Sequence, residues 1–166
     1  MSLKESCDVR DIRPLSCASC KRHNRTGRYV CVQQDWAIYG GHLPTLRLLA
    51  AHQDVDIHGL NLFGCGAAFW AAASGKVATC AYLYGLGIDF ELVNLAGHTA
   101  VHKAAWKGHG KCLEWMIEMS HGPHLGYQLH LAALDGRRAC DKARVNGHAL
   151  VAARLEVLES LFPPRA

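Results

Sequence analysis

The stretch GHTAVHKAAWKGHGKCLEWM, residues 97–116, contains three histidines, one cysteine and two tryptophans. His98 and His102 are four positions apart, and His109 and Cys112 follow within the next ten residues. These residue types could form a metal or catalytic cluster, or they could be structural parts of helices. The two interpretations are separated by asking whether the same pattern recurs elsewhere in the chain.

The pattern recurs upstream at a fixed offset of 33 residues. The residues that match at this offset are Asn61 with Asn94, Gly64 with Gly97, Ala71 with Ala104, Ala72 with Ala105, and Gly75 with Gly108. Five matches at one offset, all at Gly, Ala or Asn, indicate an internal repeat.

Two weaker copies flank the clear pair. The upstream copy aligns Gly41 and His42 with Gly108 and His109 at an offset of 67, two periods plus one residue. The downstream copy aligns Gly147 and His148 with the same two residues at an offset of 39, one period plus six. The extra residues fall between 120 and 133, so the sequence predicts about four copies with one insertion.

Each copy has the pattern of two short helices. Thr99 carries the side-chain oxygen that a helix N-cap needs, and Gly108 ends the helical run that we predict over 100–107. A second helix is predicted over 111–119, because Cys112, Leu113 and Met116 share one face at helical spacing. One such pair cannot bury its own apolar face, whereas several stacked pairs can.

The best copy resembles the ankyrin repeat, whose pattern is D/N-x-x-G-x-T-P-L-H-x-A-A-x-x-G-H followed by an apolar helix. The matching residues are Asn94, Gly97, Thr99, His102, Ala104, Ala105, Gly108 and His109. Ala100 stands where the family usually has proline, and Phe69 takes the histidine position in the second copy. In the last copy, Asp141 and Arg154 replace less polar residues, as expected of a capping repeat.

The predicted fold is therefore all-α, an ankyrin-repeat solenoid of about four helix-turn-helix units, the outer ones degenerate, joined by short hairpin-like loops. The repeat domain is predicted over 32–160, divided into 32–60, 61–93, 94–119 with the insertion 120–133, and 134–160. A leader rich in cysteine and basic residues precedes it at 1–31, and a tail follows at 161–166.

Composition and charge limit the compartment. The chain has 166 residues, is 50% apolar and carries a formal charge of +4, an ordinary globular balance. Its polar first residues do not form a signal peptide, and its longest apolar stretch is too short for a bilayer. We expect an intracellular protein, cytoplasmic or nuclear, without a membrane partner.

The resemblance implies a structural role for the histidines. In the family, the histidine at the position of His102 is hydrogen-bonded within and between repeats, and the one at His109 fills a turn. A zinc site on a helix needs two histidine ligands on one face and a third ligand. His98 precedes the Thr99 cap, so it lies outside the helix that contains His102. The periodic positions of Cys80, Cys112 and Cys140 favour buried thiols over nucleophiles.

The leader is the one segment where a metal site stays open. Cys7, Cys17, Cys20 and Cys31 form C-x9-C-x2-C-x10-C, with His23 nearby, and this set contains enough ligands for a structural zinc site. The alternative is a loosely ordered or capping leader, given its low apolar content. Its basic residues could contact nucleic acid, but a solvated basic tail is the simpler interpretation.

By analogy with the family, a partner protein would bind along a concave surface made by loop tips and first helices. The predicted partner-binding residues are Tyr39, Phe63, Ser74, His98, Trp106 and Lys107; the same geometry points Leu62, Cys65, Ala73, Leu95 and Ala96 to this side. Trp106 and Phe63 are large apolar groups at positions that the fold leaves exposed, and aromatic residues are common interface hot spots.

We therefore predict a scaffold that binds another protein and has no catalysis, cofactor, small-molecule substrate or nucleic-acid partner of its own. The alternative is a zinc-stabilised leader fused to the repeats, acting as an adapter or nucleic-acid-associated regulator.

Overall fold

A computed structural model describes residues 32–53, 55–61 and 63–164. Within these ranges the chain forms eight α-helices, one 3₁₀ helix and no strand. The α-helices are α1 Val32–Gly40, α2 Leu43–Ala50, α3 Ala67–Ser74, α4 Val77–Gly85, α5 Ala100–Trp106, α6 Gly110–Ile117, α7 Ala139–Val145 and α8 Ala149–Leu161; the 3₁₀ helix is Leu125–His130. The predicted all-α stack of helix pairs is confirmed.

The helices stack as four successive pairs. In each pair the first helix packs against the second, and the first helices also contact one another in the order α1, α3, α5, α7. Among the second helices, α4 packs against α6. The first helices therefore form one continuous layer, and the second helices pack against one face of that layer.

Helix α3 shows why alanine dominates the first-helix layer. All its residues from Ala67 to Ala73 are buried, because α1 and α5 cover it from both sides. A helix that is apolar all round is typical of such a position. Ala72 and Ala105 are completely buried, and their small side chains let neighbouring helices pack closely.

The histidines that follow the turn glycines connect one pair to the next. Gly108 has φ +74°, and a Cβ placed there would lie only 2.5 Å from the ring of His148. In the preceding pair, His109 covers Gly75 in the same way, and its Nε2 lies 2.9 Å from the carbonyl oxygen of Ala73. Each of these histidines thus fills a turn, as the resemblance implied, and the turn is that of the previous repeat.

The insertion packs as part of the core. The 3₁₀ helix buries Leu125 and Leu129 and contacts α6 and α8. Helix α8 has 13 residues where α6 has 8, and Phe162 just beyond its end lies against Gly126. His130 Nε2 is 2.6 Å from the carbonyl oxygen of Phe162, so the longer α8 and the insertion hold each other in place.

The fourth pair presents a polar surface where the others present an apolar one. Asp141, Arg144 and Glu156 occupy the positions of His102, Ala105 and Ile117, and Arg144 forms ion pairs with both acids, at 3.0 Å in the case of Asp141. Arg154, the other polar replacement in this repeat, pairs with Glu118 of the third pair at 2.7 Å, so it also links the last two pairs.

Candidate partner-binding surface

Asparagine side chains shape the loop tips that precede the first helices. The Asn94 Oδ1 atom accepts hydrogen bonds from the backbone amides of Ala96 and His98 at 3.0 and 2.8 Å. Asn61 accepts two such bonds in the preceding tip, from Phe63 and Cys65. These Asx turns fix the backbone, so the residue after Asn94 is directed away from the core.

Successive tips are joined through their backbones. The amide of Leu95 donates to the carbonyl of Phe63, and the amide of Leu134 donates to the carbonyl of Ala96, both at 3.0 Å. Leu95 is 72% exposed, Leu134 76% and Phe63 42%. We call Phe63, Leu95 and Leu134 the tip row. Leu134 is missing from the predicted set, although its offset of 39 from Leu95 would have located it.

Trp106 lies at the end of α5 and is half-buried. Its Nε1 donates to Asn146 Oδ1 at 2.6 Å, a contact with the end of α7. The Lys103 and Lys107 ammonium groups lie 4.6 and 5.7 Å from the centre of its rings. These are cation–π distances. Trp106 is therefore fixed by a hydrogen bond, partly buried, and flanked by two positively charged side chains.

The other predicted residues at the ends of the first helices are less exposed than the tip row. Tyr39 and Lys107 are half-buried. Ser74 is also half-buried, and its hydroxyl donates to the carbonyl of Ala71 at 2.7 Å and accepts from the amide of Lys76. Ser74 therefore closes the end of α3, which leaves its hydroxyl less able to contact a partner.

Two of the positions expected to face outward are covered. Cys65 and Ala73 are each 1% exposed. Asn94 Nδ2 lies 3.2 Å from the Cys65 sulfur, and His109 binds the backbone of Ala73, so in both cases the next repeat covers the residue. Leu62 lies outside the described residues.

His98 connects the tips to the helix layer. Its ring lies 5.9 Å from that of His102 in an edge-to-face arrangement. Burial, together with the nearby Lys142, lowers the pKa of His98 to about 4, although Asp135 acts in the opposite direction. Asp135 binds Lys142 at 2.5 Å, so this ion pair and the histidines form one continuous polar group behind the tip row.

His102 has the structural role that the repeat predicted. Its Nδ1 lies 3.0 Å from Thr99 Oγ1 and accepts from the Thr99 amide at 3.3 Å, which completes a capping box at the start of α5. Burial holds the pKa of His102 at about 4 despite the carbonyls of Arg137 and Leu131, which raise it. The neutral imidazole of His102 therefore serves to cap the start of α5.

The free cysteines of the described residues, Cys80, Cys112 and Cys140, are buried in the helix layers. Cys80 and Cys112 are inaccessible, with their sulfur atoms 3.4 Å apart between α4 and α6. The hydrogen bond with Cys112 and burial raise the pKa of the Cys80 thiol, and burial raises that of Cys140. High thiol pKa values oppose nucleophilic reactivity.

No group of three His, Cys, Asp or Glu residues in the described ranges converges as a metal site. Cys7, Cys17, Cys20 and Cys31 lie outside those ranges, so the zinc site stays a prediction. None of the helices in the described ranges combines the length and apolar character that crossing a membrane requires.

Comparison with known families identifies the repeated unit. Residues 68–117 match the family model described as ankyrin repeats, many copies. The match runs from α3 to α6, the two pairs whose sequences agree best at the offset of 33. A search of curated proteins found no significant match to the chain.

Proposed function

Because this chain is an ankyrin-repeat protein, we propose that it is a binding module that recognises a partner protein through its loop tips and the ends of its first helices. Ankyrin repeats generally mediate protein–protein interactions. The proposal assigns no catalysis to the chain, since the family is typically non-catalytic and the periodic residues His102, His109, Cys80 and Cys112 make contacts within the fold.

The exposure of the tip row is the observation that carries this proposal. Leu95 and Leu134 are more than 70% exposed at equivalent positions of adjacent tips. The Asx turn of Asn94 fixes the backbone at Leu95, and a hydrogen bond from the Leu134 amide to the carbonyl of Ala96 ties the Leu134 tip to it. Contiguous exposed apolar groups on a rigid scaffold are typical of interaction sites. A rigid surface also loses little conformational entropy when it binds.

Trp106 is the proposed anchor of this surface. Tryptophan is enriched among interface hot spots, and its indole is already fixed by Asn146, so little ordering is needed on binding. Trp106→Ala should keep the helical circular dichroism signal and weaken partner binding by about tenfold or more. If the variant unfolds, Trp106 belongs to the core and this assignment is wrong.

Site-specific photocrosslinking tests the proposed surface directly. A photoreactive amino acid is introduced at Leu95, in the tip row, or at the matched outer position Leu150, which is 89% exposed on α8. Irradiation in cells should capture discrete proteins at position 95, fewer of them in the Trp106→Ala background, and not the same set at position 150. Identical captures at both positions would reject binding through this surface.

A further inference from the structure

We infer that the segment bound by the tip row and Trp106 is an acidic stretch of protein with apolar side chains placed between its acidic ones. This inference deepens the proposed function and depends on it. It is argued from the charge distribution of the third and fourth pairs and from the shape of the surface they present.

Charge is segregated between the two layers of these pairs. The tips and first helices, residues 93–108 and 132–147, contain six basic residues and two acidic ones. The second helices with the insertion, residues 109–131 and 148–162, contain two basic and four acidic residues. The layer of tips and first helices, the proposed binding side, therefore carries the excess of positive charge, which favours an acidic partner. Glu159 and Glu156 of the second layer lie at the boundary between the layers, where they pair with Arg138 and Arg144.

Two of the basic groups on the binding side have no acidic partner among the described residues. Arg138 pairs with Glu159, Lys142 with Asp135, and Arg144 with Asp141 and Glu156. No such pair is formed by Lys107 or Arg137. Lys107 lies beside the Trp106 rings, and Arg137 belongs to the tip that carries Leu134. One of these two cations thus lies beside Trp106, and the other belongs to the same tip as Leu134.

The tip row and Trp106 belong to one surface. Asp135 of the fourth tip binds Lys142 of α7, and Trp106 of α5 binds Asn146 at the end of that helix. Lys103 of α5 lies 4.6 Å from the centre of the Trp106 rings. Asp135 precedes α7 and Asn146 follows it, and α7 has seven residues. A ligand that covers Leu95 and Leu134 therefore reaches the tryptophan and its lysines by extending along the first helices for one helix length, roughly 10 Å.

The exposed apolar groups favour protein over nucleic acid as the acidic ligand. Leu95, Leu134 and Val145 are between 62% and 76% exposed on this side. Trp106 and Phe63 offer aromatic faces on which bases could stack, but the aliphatic side chains on the same side gain little from a phosphate backbone. They are stabilised when a partner's apolar side chain covers them.

The spacing of the repeats defines a probe. Neighbouring packed helices lie about 8–10 Å apart, and an extended chain rises about 3.3 Å per residue, so an extended ligand would meet successive tips roughly every third residue. The probe is a fluorescent peptide of four Leu-Glu-Glu units. Its comparators are four Leu-Lys-Lys units, four Ser-Glu-Glu units and an oligothymidylate of similar length.

Fluorescence anisotropy with the full chain should show the Leu-Glu-Glu peptide binding at least tenfold more tightly than each comparator, and more weakly at high salt. Lys107→Glu with Arg137→Glu should reduce its affinity at least tenfold, and Leu95→Ser with Leu134→Ser similarly. The matched changes Lys111→Glu and Leu150→Ser, at exposed positions of the second helices, should leave it unchanged.

Equal or tighter binding of the Leu-Lys-Lys peptide or of the oligothymidylate would overturn the acidic-protein assignment, as would no measurable binding of the Leu-Glu-Glu peptide. The photocrosslinking result distinguishes a failure of the proposed binding surface from a failure of the proposed class of partner. Discrete captures at position 95 with any of these outcomes would leave the proposed function standing and reject only the class of partner. Indistinguishable captures at positions 95 and 150 would reject the surface itself.

Discussion

The third and fourth helix pairs share one backbone plan but treat their outward sides in opposite ways. The third pair buries Ala105 and Ile117 completely or nearly so, under the pair that follows it. The fourth pair places Arg144 and Glu156 at those positions and joins them by an ion pair. Position within the stack, rather than helix propensity, therefore decides which residue each site tolerates.

The largest effect is expected when the arginine found at position 144 of the fourth pair is placed at the corresponding position of the third pair, Ala105. Ala105→Arg would bury a guanidinium in a site that is 0% exposed, without the acids that surround Arg144. Placing an unpaired charge in a packed core lowers the free energy of unfolding by about 4 kcal/mol or more. Urea denaturation should show this loss, or no cooperative transition at all.

The reciprocal change is the control. Arg144→Ala alters an exposed side chain and should change the unfolding free energy by less than about 1 kcal/mol. Comparable losses for the two substitutions would mean that the third and fourth pairs do not differ in burial as described.

The turn glycines sharpen the same contrast at a smaller scale. Gly108 and Gly147 both have positive φ, +74° and +82°, so alanine is strained at either position. Only at Gly108 would the new methyl group also meet a neighbour, the ring of His148; at Gly147 nothing lies within 4 Å. Gly108→Ala should therefore cost about 1–3 kcal/mol more than Gly147→Ala, measurable as a lower Tm.

Equal Tm losses would show that His148 moves aside without cost. The contact between the repeats would then be incidental, and the recurrence of histidine after the glycine would need another explanation.

Much of the fold was predictable because the period marks positions. Thr99 and Gly108 fixed α5 to within one residue of its observed end, and the offset of 33 gave the partners of each small residue. The period does not show what covers a position. Cys65 and Ala73 were predicted to face outward but are buried, because Asn94 and His109 of the next repeat lie over them.

The candidate surface was predictable to a similar extent. The positions of Trp106 and Phe63 followed from the repeat, whereas the bond between Trp106 and Asn146 joins residues 40 apart and has no local signal. Leu134 was missed because the insertion shifts its offset from 33 to 39. The ion pair of Arg154 with Glu118 was not predicted, because a polar residue on the last helix can pair with the preceding repeat as well as face solvent.

The smallest expected effect is on the pH dependence of stability, in which the third and fourth pairs also differ. His98 and His102 of the third pair correspond to Arg137 and Asp141 of the fourth. The folded chain holds the pKa of both histidines at about 4, below the ordinary 6.5. Between these values the unfolded chain binds protons that the folded chain does not, so stability falls as the pH decreases from about 6.5 toward 4.

His98→Gln isolates one of these contributions, because glutamine does not titrate. Between pH 7 and pH 5 the wild type should lose about 1 kcal/mol more unfolding free energy than the variant, a figure reduced for the partial exposure of His98. Asp35, whose pKa burial raises to about 7, titrates in both proteins, so its effect cancels in the difference. Parallel stability curves for the two proteins would mean that His98 is as accessible to protons in the folded chain as in the unfolded one.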